Sequence, residues 1–299
     1  MKKNLVKIPE FANKSEAYNY LRLNADKIIA QKRSLPTTTD DLDFGYAIRE
    51  DGKLYETKRM KLDGTQETLR EVPVEVIANM SGWCDSQMDV MIKDNWNRSI
   101  SDLGASGQRL FYHLKDHGVN YQYTLDAVIG RDPELFTKDI SMSEFNFKTD
   151  IKKAQALMMS SMVSELYDRK AFVLYKDHQI KQHSIGLQYI KIYLCMDSTE
   201  DSDAMYKENW DKYYASVINK DKVDTRGFFW AVTESKILEV SAVLFGSNEL
   251  TPTTSVGEVT QDTSNDSSGK SGAHEQPSEE VIEPAFDVKS AIKRLTFFN

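Results

Sequence analysis

Between Ser247 and Ala285 this 299-residue chain contains no Phe, Trp or Tyr, and Thr, Ser, Gly, Pro, Asp and Glu dominate. A segment of that composition cannot bury enough apolar surface to offset the entropy of ordering it. Any core therefore has to be built from the residues before Gly246, and residues 251–284 are expected to form a disordered linker. The character changes again at residues 285–299. There Phe286, Val288, Ala291, Ile292, Leu295 and Phe298 recur as an amphipathic stripe, with Lys289, Lys293 and Arg294 beside it. This reads as a short helix, either a docking peptide on a flexible tether or a tail that folds back onto its own domain.

With 40% apolar and 28% charged residues, the remainder can form an ordinary globular core. Residues 14–33 carry a loose helical stripe of Ala17, Leu21, Leu23, Ala25, Ile28 and Ile29. Residues 45–56 read as a hairpin turning at Asp51-Gly52. Val72–Ala78 reads as a strand, with Pro73 near its start where a strand tolerates one. Short apolar runs follow at Phe111–Leu114 and Ala127–Gly130, and Phe145-Asn146-Phe147-Lys148 alternates and reads as a strand. From Ile151 to Leu166, the spacing of Ile151, Ala154, Met158, Met162 and Leu166 predicts a helix capped by Thr149 or Asp150. Ala171–Tyr175, Ile180–Leu194, Phe228–Val232 and Ile237–Phe245 read as strands. The polar stretch 197–226 between them reads as an inserted loop or short helix. Many strands with few helices give an α+β, β-rich fold of barrel or sandwich type. The expected organisation is an N-terminal extension over 1–70, a main domain over 71–250, the linker 251–284 and the terminal helix 285–299.

Several function classes fit poorly. The formal net charge of −8 argues against a whole-chain nucleic-acid binder, which needs a clustered basic surface. Cys84 and Cys195 have no partner at Cys-x-x-Cys spacing and read as reduced thiols of a cytosolic protein. The basic start Met1–Leu5 runs into Pro9, Glu10, Asn13 and Lys14, so no signal peptide is expected. No apolar run is long enough to span a membrane. The His and acid spacing fits no familiar zinc pattern, and no cofactor is expected.

The candidate chemistry lies in three places. In Gln182-His183-Ser184-Ile185-Gly186-Leu187, strand alternation puts Ser184 and Gly186 on one face and His183 on the other. The glycine leaves room beside the Ser184 hydroxyl, and the opposite face argues against His183 as its base. In His113-Leu114-Lys115-Asp116-His117, the second histidine sits where an apolar run gives way to a polar loop, a suitable place for a general base. His178 is a polar-turn residue able to reach a site edge, and His274 falls in the linker. In Ile237–Val243, alternation places Glu239 and Ser241 on one face among apolar neighbours. A carboxylate there needs a partner, an imidazolium or a Lys or Arg.

Taken in order, these pieces resemble the phage prohead (capsid-maturation) protease family, which is related in fold to the herpesvirus assemblins. Ala78-Asn79 through Trp83 with Asp85-Ser86 and Asp89-Val90 resembles the family's opening segment. His113–His117 followed by Val128-Ile129-Gly130 resembles its His box. Ser184-Ile185-Gly186 resembles its nucleophile strand. Glu239–Val243 with Gly246-Ser247-Asn248 resembles its closing strand. The similarity covers roughly residues 72–250. It departs from the family at Gly118, where Asp often follows the catalytic histidine, and in the insertion at 197–226.

The resemblance implies an assemblin-like barrel with surrounding helices. It implies a serine endopeptidase with Ser184 as nucleophile and His117 as base; Glu239, at the strand position where the assemblins carry a histidine, is read as the third member, with Asp89 or Asp85 as rivals for that role. Its implied partners are the major capsid protein and scaffold as substrates, with a second copy of itself as a further candidate. Its implied location is the host cytoplasm, inside the procapsid, where such enzymes often cut their own chains. One alternative is a catalytically inactive scaffolding or structural head protein of the same fold. Another is a metal-dependent hydrolase built from His113, His117 and Asp85 or Asp89.

Overall fold

Described in the computed structural model are residues 8–34, 70–103, 111–121, 125–145, 147–258 and 260–261. The expected hairpin at 45–56, most of the linker with His274, and the terminal helix at 285–299 lie outside the described residues. Helix α1 (Lys14–Arg33) begins at Asn13, whose side chain accepts the Glu16 N–H at 2.9 Å, satisfying one of the donors a helix start leaves open. Ala17, Leu21, Ala25, Ile28 and Lys32, three or four apart, form its buried face. Leu21 and Ile28 are nearly inaccessible to solvent, and each contributes about 1.5–3 kcal/mol by its burial. They join the main core cluster with Val72, Val74 and Val76. No helix among the described residues is long and apolar enough to cross a membrane.

The other elements are β1 (Arg70–Met80), β2 (Asp89–Met91), α2 (Asn97–Leu103), β3 (Tyr112–Lys115), β4 (Val128–Ser141), β5 (Lys153–Ser164) and α3 (Arg169–Lys176). They continue with β6 (Gln182–Met196), α4 (Ala204–Tyr213), α5 (Lys220–Arg226), β7 (Phe228–Val243), β8 (Thr253–Val256) and β9 (Thr260–Gln261). These nine described strands form one sheet. Strand β6 lies antiparallel along the whole of β7. A strand has two edges, so β2 and β3, both parallel to β7, follow one another along its other edge. The sheet continues through β4, β5 and β1 to β8 and β9. The chain is thus α+β, as expected, but the sheet is open and the barrel is not formed. β6 and β8 end the sheet without pairing with each other, and only at one corner does the His183 N–H reach the Thr251 carbonyl at 3.1 Å.

The expected helix over 151–166 is strand β5. It is a central strand between β1 and β4, and both its faces are covered. Leu157, Met159 and Val163 enter one core cluster, and Ala154, Ala156 and Met158 enter a second on the opposite face. A strand buried on both sides loses its alternation and reads as a continuous apolar run, within which a spacing of four is easily found. The reverse error occurs at 171–175, which is helix α3. Asp168 caps it by accepting the Ala171 N–H at 2.8 Å, and Ala171, Phe172 and Tyr175 point inward.

At the strand expected over 145–148, the described residues 145, 147 and 148 lie in no strand. The two expected strands at 228–232 and 237–245 are one strand, β7, because shifts of register against β6 let it run through the polar Thr233–Lys236. The insertion at 197–226 holds α4 and α5, with Trp210 packed on Phe229. Arg22 of α1 ties it down through both oxygens of Asp203, at 2.7 and 2.8 Å. The start of the expected linker is also structured: Thr251 is fully buried and β8 pairs with β1. Truncation at residue 250, harmless if the linker began there, removes these contacts.

Candidate active site

Residues paired across neighbouring strands share a face of the sheet. On β7, Glu239 pairs with Gly186 of β6 and Tyr112 of β3, and Ser241 pairs with Ser184 and Leu114. Ser184, Gly186, Glu239 and Ser241 therefore form one patch on the outer face. His183, His113, Val240 and Ala242 occupy the core face, so the assignment of Ser184 and His183 to opposite sides is what the pairing gives.

Gly186 has a different use from the one its sequence suggests. A Cβ built there would collide with Glu239 Oε1. The open space is filled by the Glu239 side chain, which lies across the β6 backbone because no side chain opposes it.

His117 reaches this patch through a reversal just after β3. Asp116, His117 and Gly118 have φ of 50°, 55° and 64°. Left-handed backbone costs a non-glycine residue roughly 1–2 kcal/mol, so Asp116 and His117 are held there by their surroundings. The turn brings His117 Nδ1 to 2.6 Å from Glu239 Oε1. The two side chains are 16% and 12% exposed, sheltered from water yet open to an incoming group. Ser241 Oγ donates to the other carboxylate oxygen, Oε2, at 2.5 Å, and accepts the His117 backbone N–H at 3.1 Å. A carboxylate can only accept, so the proton facing Glu239 sits on His117 Nδ1, and in the neutral ring the lone pair is then on Nε2. This is the tautomer a general base needs.

Ser184 is half-buried on the adjoining strand. Among the described residues neither Ser184 Oγ nor His117 Nε2 makes a hydrogen bond. The structure thus joins His117 to Glu239 and sets Ser184 beside Ser241 on the same face, without a direct Ser184–His117 bond.

Asp85 and Asp89, the rivals for the third position, are elsewhere. Asp89 pairs with Trp230, nine positions along β7 from Glu239, which is roughly 30 Å at the usual rise. Its Oδ1 lies 2.5 Å from Lys32 Nζ and its Oδ2 accepts the Tyr189 hydroxyl at 2.7 Å. Asp85 accepts the N–H groups of Gln87 and Asp89 at 2.8 and 2.9 Å. Burial, and then the neighbouring Asp89 charge, push its carboxyl up to about 7. Burial likewise raises the Cys84 thiol next to it.

His113 is fully buried, with its ring nitrogens on Ser161 and Tyr175. His113, His117 and the two aspartates do not converge, and no cluster of metal-ligating side chains exists among the described residues. His178 occupies an exposed left-handed turn after α3.

Ser241 has no role in the reading from sequence, although its signal is there: it stands two residues from Glu239 on one strand and so shares its face.

No protein-family model, curated protein or solved structure matches the chain.

Proposed function

We propose that this protein is a serine endopeptidase of the phage prohead type, with Ser184 as nucleophile, His117 as general base and Glu239 orienting the imidazole. The observation that carries this reading is the 2.6 Å contact from His117 Nδ1 to Glu239 Oε1, made by residues 122 apart in the chain beside the strand that bears Ser184. In the proposed reaction His117 Nε2 takes the Ser184 proton as Oγ attacks the peptide carbonyl. His117 then gives that proton to the amine nitrogen as the C–N bond breaks, leaving the acyl-enzyme; in the second half His117 takes a proton from the attacking water and returns it to Ser184 Oγ as the acid product leaves. Glu239 holds the ring in the Nδ1–H tautomer and stabilises it once charged. The approach of Ser184 to Nε2 tightens when substrate fills the site, as catalytic hydrogen bonds commonly do.

The substrates proposed, on the resemblance of the four motifs, are the scaffold and major capsid protein inside the procapsid, together with the protein's own C-terminal tail. An inactive head protein of the same fold is the second reading. It is favoured by the lack of a Ser184–His117 hydrogen bond among the described residues.

The deciding experiment is intact-mass spectrometry of the wild type and Ser184→Ala, each expressed alone and with the capsid protein, and each exposed to a fluorophosphonate. The proposal expects one adduct on the wild type and none on Ser184→Ala. It also expects cleavage only where Ser184 is present, since losing a triad serine costs on the order of a million-fold in rate. Wild type that neither labels nor cuts supports the inactive reading. Equal trimming of both forms marks a host protease.

A further inference from the structure

The left-handed backbone at Asp116 and His117 has to be over-determined by what surrounds it. The backbone N–H of His117 is met there by Ser241 Oγ. It accepts the His117 N–H at 3.1 Å and donates to Glu239 Oε2 at 2.5 Å. A hydroxyl has one proton and two lone pairs, so both bonds can be made at once, and Ser241 has no exposed surface through which water could replace either. The backbone under the imidazole and the carboxylate beside it are thereby referred to one atom on a rigid central strand. Gly186 closes the other side, because its missing side chain defines where Glu239 Oε1 can lie.

We propose that Ser241 is a positioning residue of this site: its hydroxyl sets where the His117 ring stands relative to Glu239, and so relative to Ser184. It touches no reacting atom. Its effect on rate rests on the peptidase reading given above, whereas its effect on the His117–Glu239 geometry does not.

The test compares Ser241→Thr with Ser241→Val. The two replacements have nearly the same shape, so any crowding by the extra methyl falls on both, and the difference between them is the hydroxyl. The first readout is the low-field proton resonance of His117 Nδ1–H in histidine-labelled protein, assigned by its loss in His117→Asn. The resonance is expected in the wild type and Ser241→Thr, and lost or exchange-broadened in Ser241→Val. The second readout is the rate of fluorophosphonate labelling of Ser184, with kcat and KM on a cleaved peptide.

Ser241→Val is expected to fall about a hundredfold, chiefly in kcat, the scale of a misplaced catalytic group, while Ser241→Thr stays near wild type. A sharp Nδ1–H resonance in Ser241→Val, or equal losses in both variants, overturns the proposal. If the larger residues prevent folding, Ser241→Ala, which cannot crowd the site, replaces Ser241→Val and is read against wild type by the same criteria. If wild type itself never labels, the peptidase reading fails, and the resonance still decides the positioning role.

Discussion

His113 and His117 are four residues apart and lie on opposite faces of the same sheet, and their surroundings give the same side chain two different tasks. His113 belongs to a closed chain of neutral groups. His183 Nδ1 lies 3.0 Å from the Thr251 carbonyl, which can only accept, so that nitrogen bears the proton. His183 Nε2 must then accept from the Tyr175 hydroxyl at 2.9 Å, and the Tyr175 oxygen accepts the His113 Nε2–H, also at 2.9 Å. His113 Nδ1 is left to accept from Ser161, 3.2 Å away. All of this is buried and none of it is charged. His117 has one nitrogen committed to a carboxylate, one nitrogen uncommitted among the described residues, and a window to solvent. A satisfied histidine network stabilises the fold, and an incompletely satisfied one is available for chemistry.

The largest effect that would break this comparison is catalytic. Glu239→Gln removes the charge behind His117 and allows the wrong tautomer. It is expected to lower kcat/KM by about ten-thousandfold, the usual scale for a triad carboxylate, with a thermal midpoint close to wild type. Tyr175→Phe should do the opposite, leaving kcat/KM per folded molecule unchanged. If Glu239→Gln unfolds the protein, or Tyr175→Phe abolishes turnover without loss of stability, the two regions have been assigned the wrong way round.

Acid should reveal the difference next. Burial lowers His113 from 6.5 to about 3 and His183 from 6.5 to about 4. As pH falls below about 6.5, the unfolded chain takes up protons that the folded protein refuses. Stability is therefore full above that value and is lost as pH falls toward 4 and then 3. Asp85 works against this. Its folded carboxyl titrates at about 7, so the native state already binds that proton where the unfolded chain does not. Two groups outweigh one, and the net loss between pH 6.5 and 4 is on the order of a few kcal/mol. Urea midpoints measured at several pH values check it, and Asp85→Asn should steepen the dependence. A midpoint that does not change over this range would show that the two histidines are not held neutral.

Tyr175→Phe gives a loss of similar or smaller size. It leaves the His183 acceptor and the His113 donor unpaired in a dry interior, at about 1–3 kcal/mol for each such group. Urea unfolding at pH 7 measures it, and a loss below the lower figure would mean that water enters the network.

How much of this can be read from the sequence differs between the two regions for a physical reason. The outer-face patch obeys strict alternation: Ser184 and Gly186 share a face, Glu239 and Ser241 share another stretch of the same face, and the pairing of β6 with β7 superposes them. Alternation alone therefore marks Ser184 and Glu239 as candidates. It does not show the pairing itself, nor the turn that carries His117 over the patch, because three consecutive left-handed residues depend on the tertiary contact with Ser241 rather than on local preference.

In the core-face network only the side of the sheet taken by His183 is legible. The network draws on Tyr175, which reads as part of a strand but lies on helix α3, and on Ser161, which reads as part of a helix but lies on strand β5. Strands buried on both faces and short helices with one buried stripe give up the periodicity by which each is recognised. Thr251 falls by composition in the expected linker, yet it is fixed by hydrogen bonds to the His183 backbone.

The smallest expected effect sharpens the comparison most, because it concerns the end of the network. Ser161 Oγ lies 3.2 Å from His113 Nδ1 and 3.3 Å from the Arg131 carbonyl oxygen, and its single proton can serve only one of them at a time. Ser161→Ala therefore removes one hydrogen bond, not two, and leaves an acceptor rather than a donor unpaired. The expected cost is about 1 kcal/mol, with kcat/KM and fluorophosphonate labelling unchanged. The bond between His113 Nε2 and Tyr175 does not depend on Ser161, so the proton order imposed from the Thr251 end should persist. A double-mutant cycle with Tyr175→Phe then measures how far the network acts as a unit. Additive losses would mean that each bond stands alone. A coupling above about 0.5 kcal/mol, beyond what independent sites show, would mean that the orientation set at Thr251 is transmitted through Tyr175 and His113 to Ser161.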